Sequence, residues 1–199
     1  MRPRIVICAS GEGAHFATLL AASRSQQLHA EVAGLITNRP GSGALAKATA
    51  LGVASMVLPL RDFSARSEWD AAFLRQLKAW RADWVVLAGF LALIGPEVLF
   101  HFKNRVVNIH PALLPRYGGP GMYGLKVHAA VLAAGEMQTG ITVHLVDEQY
   151  DHGRIIAQHP VPVENGDTAE SLAARVKTQE LALYPKIINE LVTGTHTLG

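Results

Sequence analysis

Short apolar runs rich in β-branched residues alternate along this chain with segments whose apolar residues recur at helical spacing, and few folds accommodate that order. Arg4 to Ala9 reads as a first strand; it ends in Ser10-Gly11-Glu12-Gly13, after which His15 to Ser25 carries Phe16, Leu19, Leu20 and Ala22 on one helical face. Glu31 to Thr37 reads as a strand, Asn38 to Gly43 as a loop, Ala44 to Leu51 as a helix and Ala54 to Leu58 as a third strand. Ser67 to Trp80 is a helix by the spacing of Trp69, Phe73, Leu77 and Trp80. Trp84 to Leu87 and Val106 to Ile109 are almost wholly apolar, as parallel strands covered on both faces are, with a short helix near Pro96 to Phe102 between them. A loop rich in proline and glycine, Pro111 to Gly124, leads into a helix from Leu125 to Ala134. Thr139 to Val146 and Arg154 to Val161 read as late strands at an edge, and Thr168 to about Leu191 as a closing helix with capping residues at Asp167-Thr168-Ala169-Glu170. The expected architecture is α/β: a single doubly wound, Rossmann-like domain over residues 1–199, its sheet mostly parallel with late antiparallel edge strands.

Composition narrows the function classes. At 199 residues, 49% hydrophobic and 17% charged, the chain can bury one sizeable core and is not disordered. Its 18 Lys+Arg against 16 Asp+Glu are scattered, so no nucleic-acid footprint is expected. Cys8 is the single cysteine, which excludes an internal disulfide and suits a reducing cytoplasm. Met1-Arg2-Pro3-Arg4 before Ile5 to Ala9 imitates a signal peptide, but Gly11, Glu12, Gly13 and His15 interrupt it too early. The longest apolar run, Trp84 to Ile94, falls short of the roughly 20 residues that cross a bilayer as a helix. Small-molecule substrates are therefore the expected partners, with no nucleic acid and no membrane; a homodimer is compatible with the sequence.

Doubly wound folds bind ligands at the carboxyl ends of their strands, near the switch in strand order, and three segments fall there. Gly11-Glu12-Gly13 sits between strand and helix, where backbone N–H groups can meet an anion; it lacks a third glycine and a Lys-Ser/Thr ending, so a plain tight turn stands equally open. Asn108 and His110 alternate on one face of a strand as it ends, pairing an amide donor with an imidazole, a combination suited to an oxyanion and to proton transfer. A hydrogen-bonded histidine at a strand end is the other reading. Tyr150-Asp151-His152-Gly153 forms a turn in which Asp-x-Gly commonly serves local geometry, and Asp151 gains a chemical role only by approaching His110. The nine histidines show no spacing with Cys or carboxylates that resembles a metal site, so no metal is expected.

The run Asn108-Ile109-His110-Pro111-Ala112-Leu113-Leu114-Pro115, taken with Tyr150-Asp151-x-Gly153, resembles the folate-dependent formyltransferase family. The resemblance extends from Ser10-Gly11-Glu12-Gly13 through Val85-Val86-Leu87-Ala88-Gly89-Phe90 to Thr178-Gln179-Glu180. It implies transfer of a formyl group from 10-formyltetrahydrofolate to an amine, that of glycinamide ribonucleotide in purine synthesis, without metal or covalent enzyme intermediate. It also implies that Asn108, His110 and Asp151 form the catalytic trio. In the same way it places Gly11, Glu12, Gly13, Ala14, His15 and Arg66 at the substrate phosphate, Glu180 at the glycinamide end, and Phe90, Leu91, Ala92, Leu93 and Ile94 along the folate pocket.

The chain departs from the family in two places. Ala14-His15 stand where Ser-Asn is usual, removing a hydroxyl and an amide, with His15 a substitute donor; Ala92 stands where a longer, often basic side chain is common. Alternatives carried by the resemblance are a related formyltransferase acting on another amine, a formyltetrahydrofolate hydrolase using water, and a non-catalytic ligand-binding homologue.

Overall fold

The computed structural model describes residues 1–195; the last four positions of the expected 1–199 domain lie outside the described residues. Seven strands form one sheet in the order β3-β2-β1-β4-β5-β6-β7: β1 (Arg4–Cys8), β2 (Glu31–Thr37), β3 (Ser55–Val57), β4 (Trp84–Leu87), β5 (Val106–His110), β6 (Gln138–Leu145) and β7 (Ile155–Pro162). The first five run parallel, whereas β6 pairs antiparallel with β5 and β7 antiparallel with β6. Six α-helices accompany them among the described residues: α1 (Ala14–Arg24), α2 (Gly43–Ala50), α3 (Arg66–Ala79), α4 (Pro96–His101), α5 (Leu125–Ala133) and α6 (Ala169–Thr193), with a single 3-10 turn at Leu60–Asp62. This is the doubly wound fold that the alternating pattern predicts, with its late strands antiparallel at one edge.

Alternation along the strands divides the core into two layers. Ile5 and Ile7 of β1 pack with Val86, Val107 and Ile109 against Phe16 and Leu19 of α1, Val131 of α5 and Leu172, Tyr184 and Ile188 of α6. Val6 and Cys8 point the other way, joining Ile36, Val85 and Leu87 under Trp69, Phe73 and Leu77 of α3 and Val98 of α4. Burial at this scale, roughly 25 cal/mol per Å² of apolar surface, is what holds helices of modest intrinsic propensity on the sheet. Cys8 is fully buried, and burial pushes its thiol far up, so it acts as a small hydrophobe and not as a nucleophile.

Two boundaries differ from the sequence expectation in ways that matter. β5 runs one residue further, to His110, because β6 extends the ladder and pairs His110 with Thr142. α6 runs to Thr193 and ends on Gly194 in the left-handed conformation. Among the described residues no helix is long and apolar enough to cross a membrane. The sheet order reverses between β1 and β4, so the crevice for a ligand lies beyond the carboxyl ends of those strands and of β5.

Candidate active site

At that crevice β5 delivers Asn108 and His110, two residues apart and on one face, as the period of a strand requires. The loop between β6 and β7 brings Asp151 to both. His110 Nδ1 stands 3.4 Å from Asp151 Oδ2, and Asn108 Nδ2 stands 3.4 Å from Asp151 Oδ1. The Gly119 N–H donates to Asp151 Oδ2 at 3.0 Å, while His110 Nε2–H donates to the Tyr117 carbonyl at 2.8 Å. A carbonyl only accepts, so the Nε2 proton is committed and Nδ1 is the position where His110 can gain or lose one. Both groups that hold His110 come from left-handed residues, Tyr117 at φ 58° and Asp151 at φ 54°. Asp tolerates that region and a bulky Tyr does not, so the loop carries local strain at this point.

A fourth side chain, which the spacing of the sequence does not single out, completes the cluster. His144 faces Asn108 across the β5–β6 ladder. Its Nδ1–H donates to the Leu145 carbonyl at 2.8 Å, and its Nε2 stands 3.0 Å from Asn108 Nδ2 and 3.6 Å from Asp151 Oδ1. His144 thereby orients the Asn108 amide. The register of an antiparallel pair is the signal that would have found it, and register is not written in one strand alone.

Burial and charge oppose each other here. His110 is 3% exposed. Burial pushes its imidazole below the ordinary value of 6.5, and the Asp151 carboxylate recovers only part of the loss. Burial thus favours the neutral ring of His110. Burial pushes the Asp151 carboxyl up, but His144, the His110 ring and the Gly119 amide together bring it below the usual carboxylate value. The pair is thus a neutral imidazole beside a carboxylate, poised to accept a proton at Nδ1 and to stabilise the imidazolium that results.

The trio opens on a cavity of about 540 Å³. Phe90 and Leu91, His15, Glu180 and the Pro120 to Gly124 segment also line it. Ala92, Leu93 and Ile94, with Phe90, border an adjoining recess of about 50 Å³ that shares Asn108 and Asp151. Arg39, unnoticed in the sequence, lines the main cavity, and its guanidinium makes no hydrogen bond or ion pair among the described residues. Tyr150 also lines it and reaches the Leu91 carbonyl.

Other expected residues lie off this wall. Gly11, Glu12, Gly13 and Ala14 do not line the cavity; a Cβ on Gly13, whose φ is +74°, would sit 2.5 Å from Ala44 Cα, and the Ala44 N–H donates to the Gly11 carbonyl. Gly13 therefore serves close packing of the turn against α2, whatever else it does, whereas a Cβ on Gly11 would meet nothing within 4 Å. Their turn also leaves the first turn of α1 without a side-chain cap or an acidic residue. Arg66 likewise lies off the cavity wall: it pairs with Asp70 Oδ1 at 3.0 Å, donates to the Leu93 carbonyl and lies over the Trp69 ring. Its long side chain props the segment that carries Leu91 to Ile94.

A second groove of about 590 Å³ opens between Arg2, Arg24, His29 and Gly52, and it holds no member of the trio. Among the described residues no group of three or more His, Cys, Asp or Glu is placed to hold a metal ion.

Known proteins share both sequence and fold with this chain. Residues 3–188 match the family model described as formyl transferase. A chloroplastic phosphoribosylglycinamide formyltransferase of Vigna unguiculata is 40% identical over 96% of the chain, which spans 61% of that protein's length. The phosphoribosylglycinamide formyltransferase of Escherichia coli is 33% identical over 96% of the chain and 87% of its own length. The crystal structure of phosphoribosylglycinamide formyltransferase from Bacillus halodurans superposes with a TM-score of 0.90 at 34% identity, covering 98% of each chain. Matched over nearly its whole length in sequence and in fold, the chain belongs to the formyl transferase family.

Proposed function

We propose that the protein transfers the formyl group of 10-formyltetrahydrofolate to the amine of glycinamide ribonucleotide. The observation that carries this reading is the buried contact of His110 and Asn108 with one carboxylate, Asp151, on a cavity that also holds Glu180. The amine nitrogen attacks the formyl carbon and forms the new C–N bond. The Asn108 contact to Asp151, at 3.4 Å, is long and weak, so that N–H can turn to the oxygen on which negative charge develops. Neutral His110 takes the amine proton at Nδ1, and the imidazolium, held by Asp151, adds positive charge beside the same oxygen. Collapse of the tetrahedral intermediate breaks the bond to the folate nitrogen, and His110 returns the proton to that nitrogen.

Phe90 to Ile94 offer the apolar wall for a pterin, and Glu180 offers an acceptor for the N–H groups of the glycinamide end. The uncapped first turn of α1, with the backbone of Gly11 to His15, and the unpaired Arg39 suit the phosphate. Arg66 acts in this scheme through the 91–94 segment, not at the phosphate. A cytoplasmic setting is part of the proposal, in keeping with the unpaired, buried Cys8.

The test is to mix the protein with 10-formyltetrahydrofolate and glycinamide ribonucleotide and follow tetrahydrofolate and formylated product. Formate released without the amine points instead to a hydrolase, and no turnover rejects the substrate assignment. The pH profile follows from the direction of the His110 shift. A base must be neutral to act, and its titration lies below 6.5, so kcat/KM is expected to rise with pH along an acid limb centred below 6.5 and to level out near neutrality. A kcat/KM that falls as pH rises from 5.5 to 7 would mean that the cation is the active form in the free protein.

A further inference from the structure

Glu180 is a carboxylate only 6% exposed, and no hydrogen bond reaches it among the described residues. Its one close partner is His15, whose Nε2 lies 3.2 Å from Oε2. A buried carboxylate without partners is costly, so whatever stands beside Glu180 governs where its oxygens point. His15 is fixed for that task. It sits in the first turn of α1, and its ring meets the Tyr184 ring edge to face at a centroid distance of 6.2 Å. Tyr184, one helical turn beyond Glu180, is itself anchored by its hydroxyl to the Leu87 carbonyl at 2.8 Å. The Nε2 atom is sealed from solvent and satisfies no hydrogen bond in the unliganded protein. The ring lines the cavity, while Nε2 itself is turned towards Glu180.

We propose that His15 is a positioning residue for substrate selection: its Nε2, 3.2 Å from Glu180 Oε2, draws that oxygen by electrostatic attraction so that the other faces the cavity as the acceptor that reads the N–H end of the amine substrate. Attraction between Nε2 and the carboxylate requires the proton on Nε2, in either the neutral ring or the cation. The inference rests on the function proposed above, and it replaces the sequence expectation of His15 as a phosphate donor with a contact to the opposite end of the same substrate.

The test compares His15→Ala, His15→Gln and Glu180→Gln with the unsubstituted protein, using glycinamide ribonucleotide and its riboside without phosphate. In His15→Ala the loss is expected mainly in KM for the amine substrate, roughly 10- to 100-fold, the range for misplacing the charged Glu180 acceptor of a substrate hydrogen bond, with KM for the formyl donor unchanged. The same factor is expected with the riboside. His15→Gln, whose amide can donate to the carboxylate, recovers most of it, and His15→Ala adds little to Glu180→Gln. An effect that vanishes with the riboside makes His15 a phosphate ligand and overturns the proposal, as does full additivity of the two substitutions. If the unsubstituted protein does not use glycinamide ribonucleotide, the substrate assignment fails. The positioning role is then decided by a crystal structure of His15→Ala: a displaced Glu180 carboxylate supports it, and an unmoved one overturns it.

Discussion

Asp151→Asn is expected to lower kcat for formyl transfer at least about a hundredfold, the lower end of what positioned acid–base assistance supplies, while leaving the protein folded. The substitution removes the charge and one of the two acceptor oxygens, the weaker 3.4 Å contact with Asn108 being the one given up if the amide oxygen keeps the Gly119 N–H. Asparagine is nearly isosteric and tolerates the left-handed backbone that position 151 adopts at φ 54°, so the loop has no reason to rebuild. What goes is the anion beside His110 Nδ1, the strongest of the influences that favour the imidazolium, ahead of the Tyr117 carbonyl and Glu180, in an otherwise desolvating setting. Without it burial acts on His110 with less opposition, and the acid limb of kcat/KM moves to lower pH than in the unsubstituted protein. Steady-state kinetics over pH 5 to 8, with circular dichroism to verify folding, checks both effects. Near-normal turnover in a folded variant would remove Asp151 from proton transfer.

The mostly parallel sheet was legible because apolar runs such as Trp84 to Leu87 and Val106 to Ile109 suit a sheet covered on both faces. Asn108 and His110 were legible as a pair because a strand of period 2 places them together without help from any other element. Their meeting with Asp151 was not. It depends on how β6 registers against β5 and on where the β6–β7 loop returns, and only the family resemblance supplied that link. His144 stayed hidden for the same reason, its partner Asn108 being 36 residues away across the ladder. The charge state of His110 could not be read either: an adjacent carboxylate favours the cation, burial favours the neutral ring, and only the packed structure shows that burial wins. Arg66 and Arg39 make the complementary case. A basic residue is easy to see in a sequence, but whether its guanidinium is spent on Asp70 and Leu93 or left facing a cavity is decided by packing.

Gly153→Ala is expected to be the most damaging methyl group that can be added near the site. Gly153 needs no unusual φ; its requirement is space. A Cβ there would lie 1.9 Å from the Leu145 carbonyl oxygen and 2.8 Å from the Leu145 carbonyl carbon, backbone atoms at the end of β6 that cannot swing aside as a side chain can. The loop must move instead, against the Leu145 N–H to Arg154 carbonyl bond of 2.8 Å that closes it. Overpacking of this kind costs on the order of 1–3 kcal/mol or more, which a melting experiment resolves. The functional loss should exceed what unfolding explains, because Asp151 rides on the same loop and a shift of about 1 Å in a catalytic group can cost on the order of a hundredfold in rate. Gly41→Ala is the control: a Cβ at Gly41 meets nothing within 4 Å, so stability there should change by no more than about 0.5 kcal/mol and turnover should be retained. Were Gly153→Ala as stable and active as Gly41→Ala, the Asp-x-Gly turn would not be what fixes Asp151 against His110. If it loses activity beyond its loss of stability, the turn chemistry and the catalytic role of Asp151 are one feature: the glycine is required there so that the carboxylate two residues earlier can reach the imidazole.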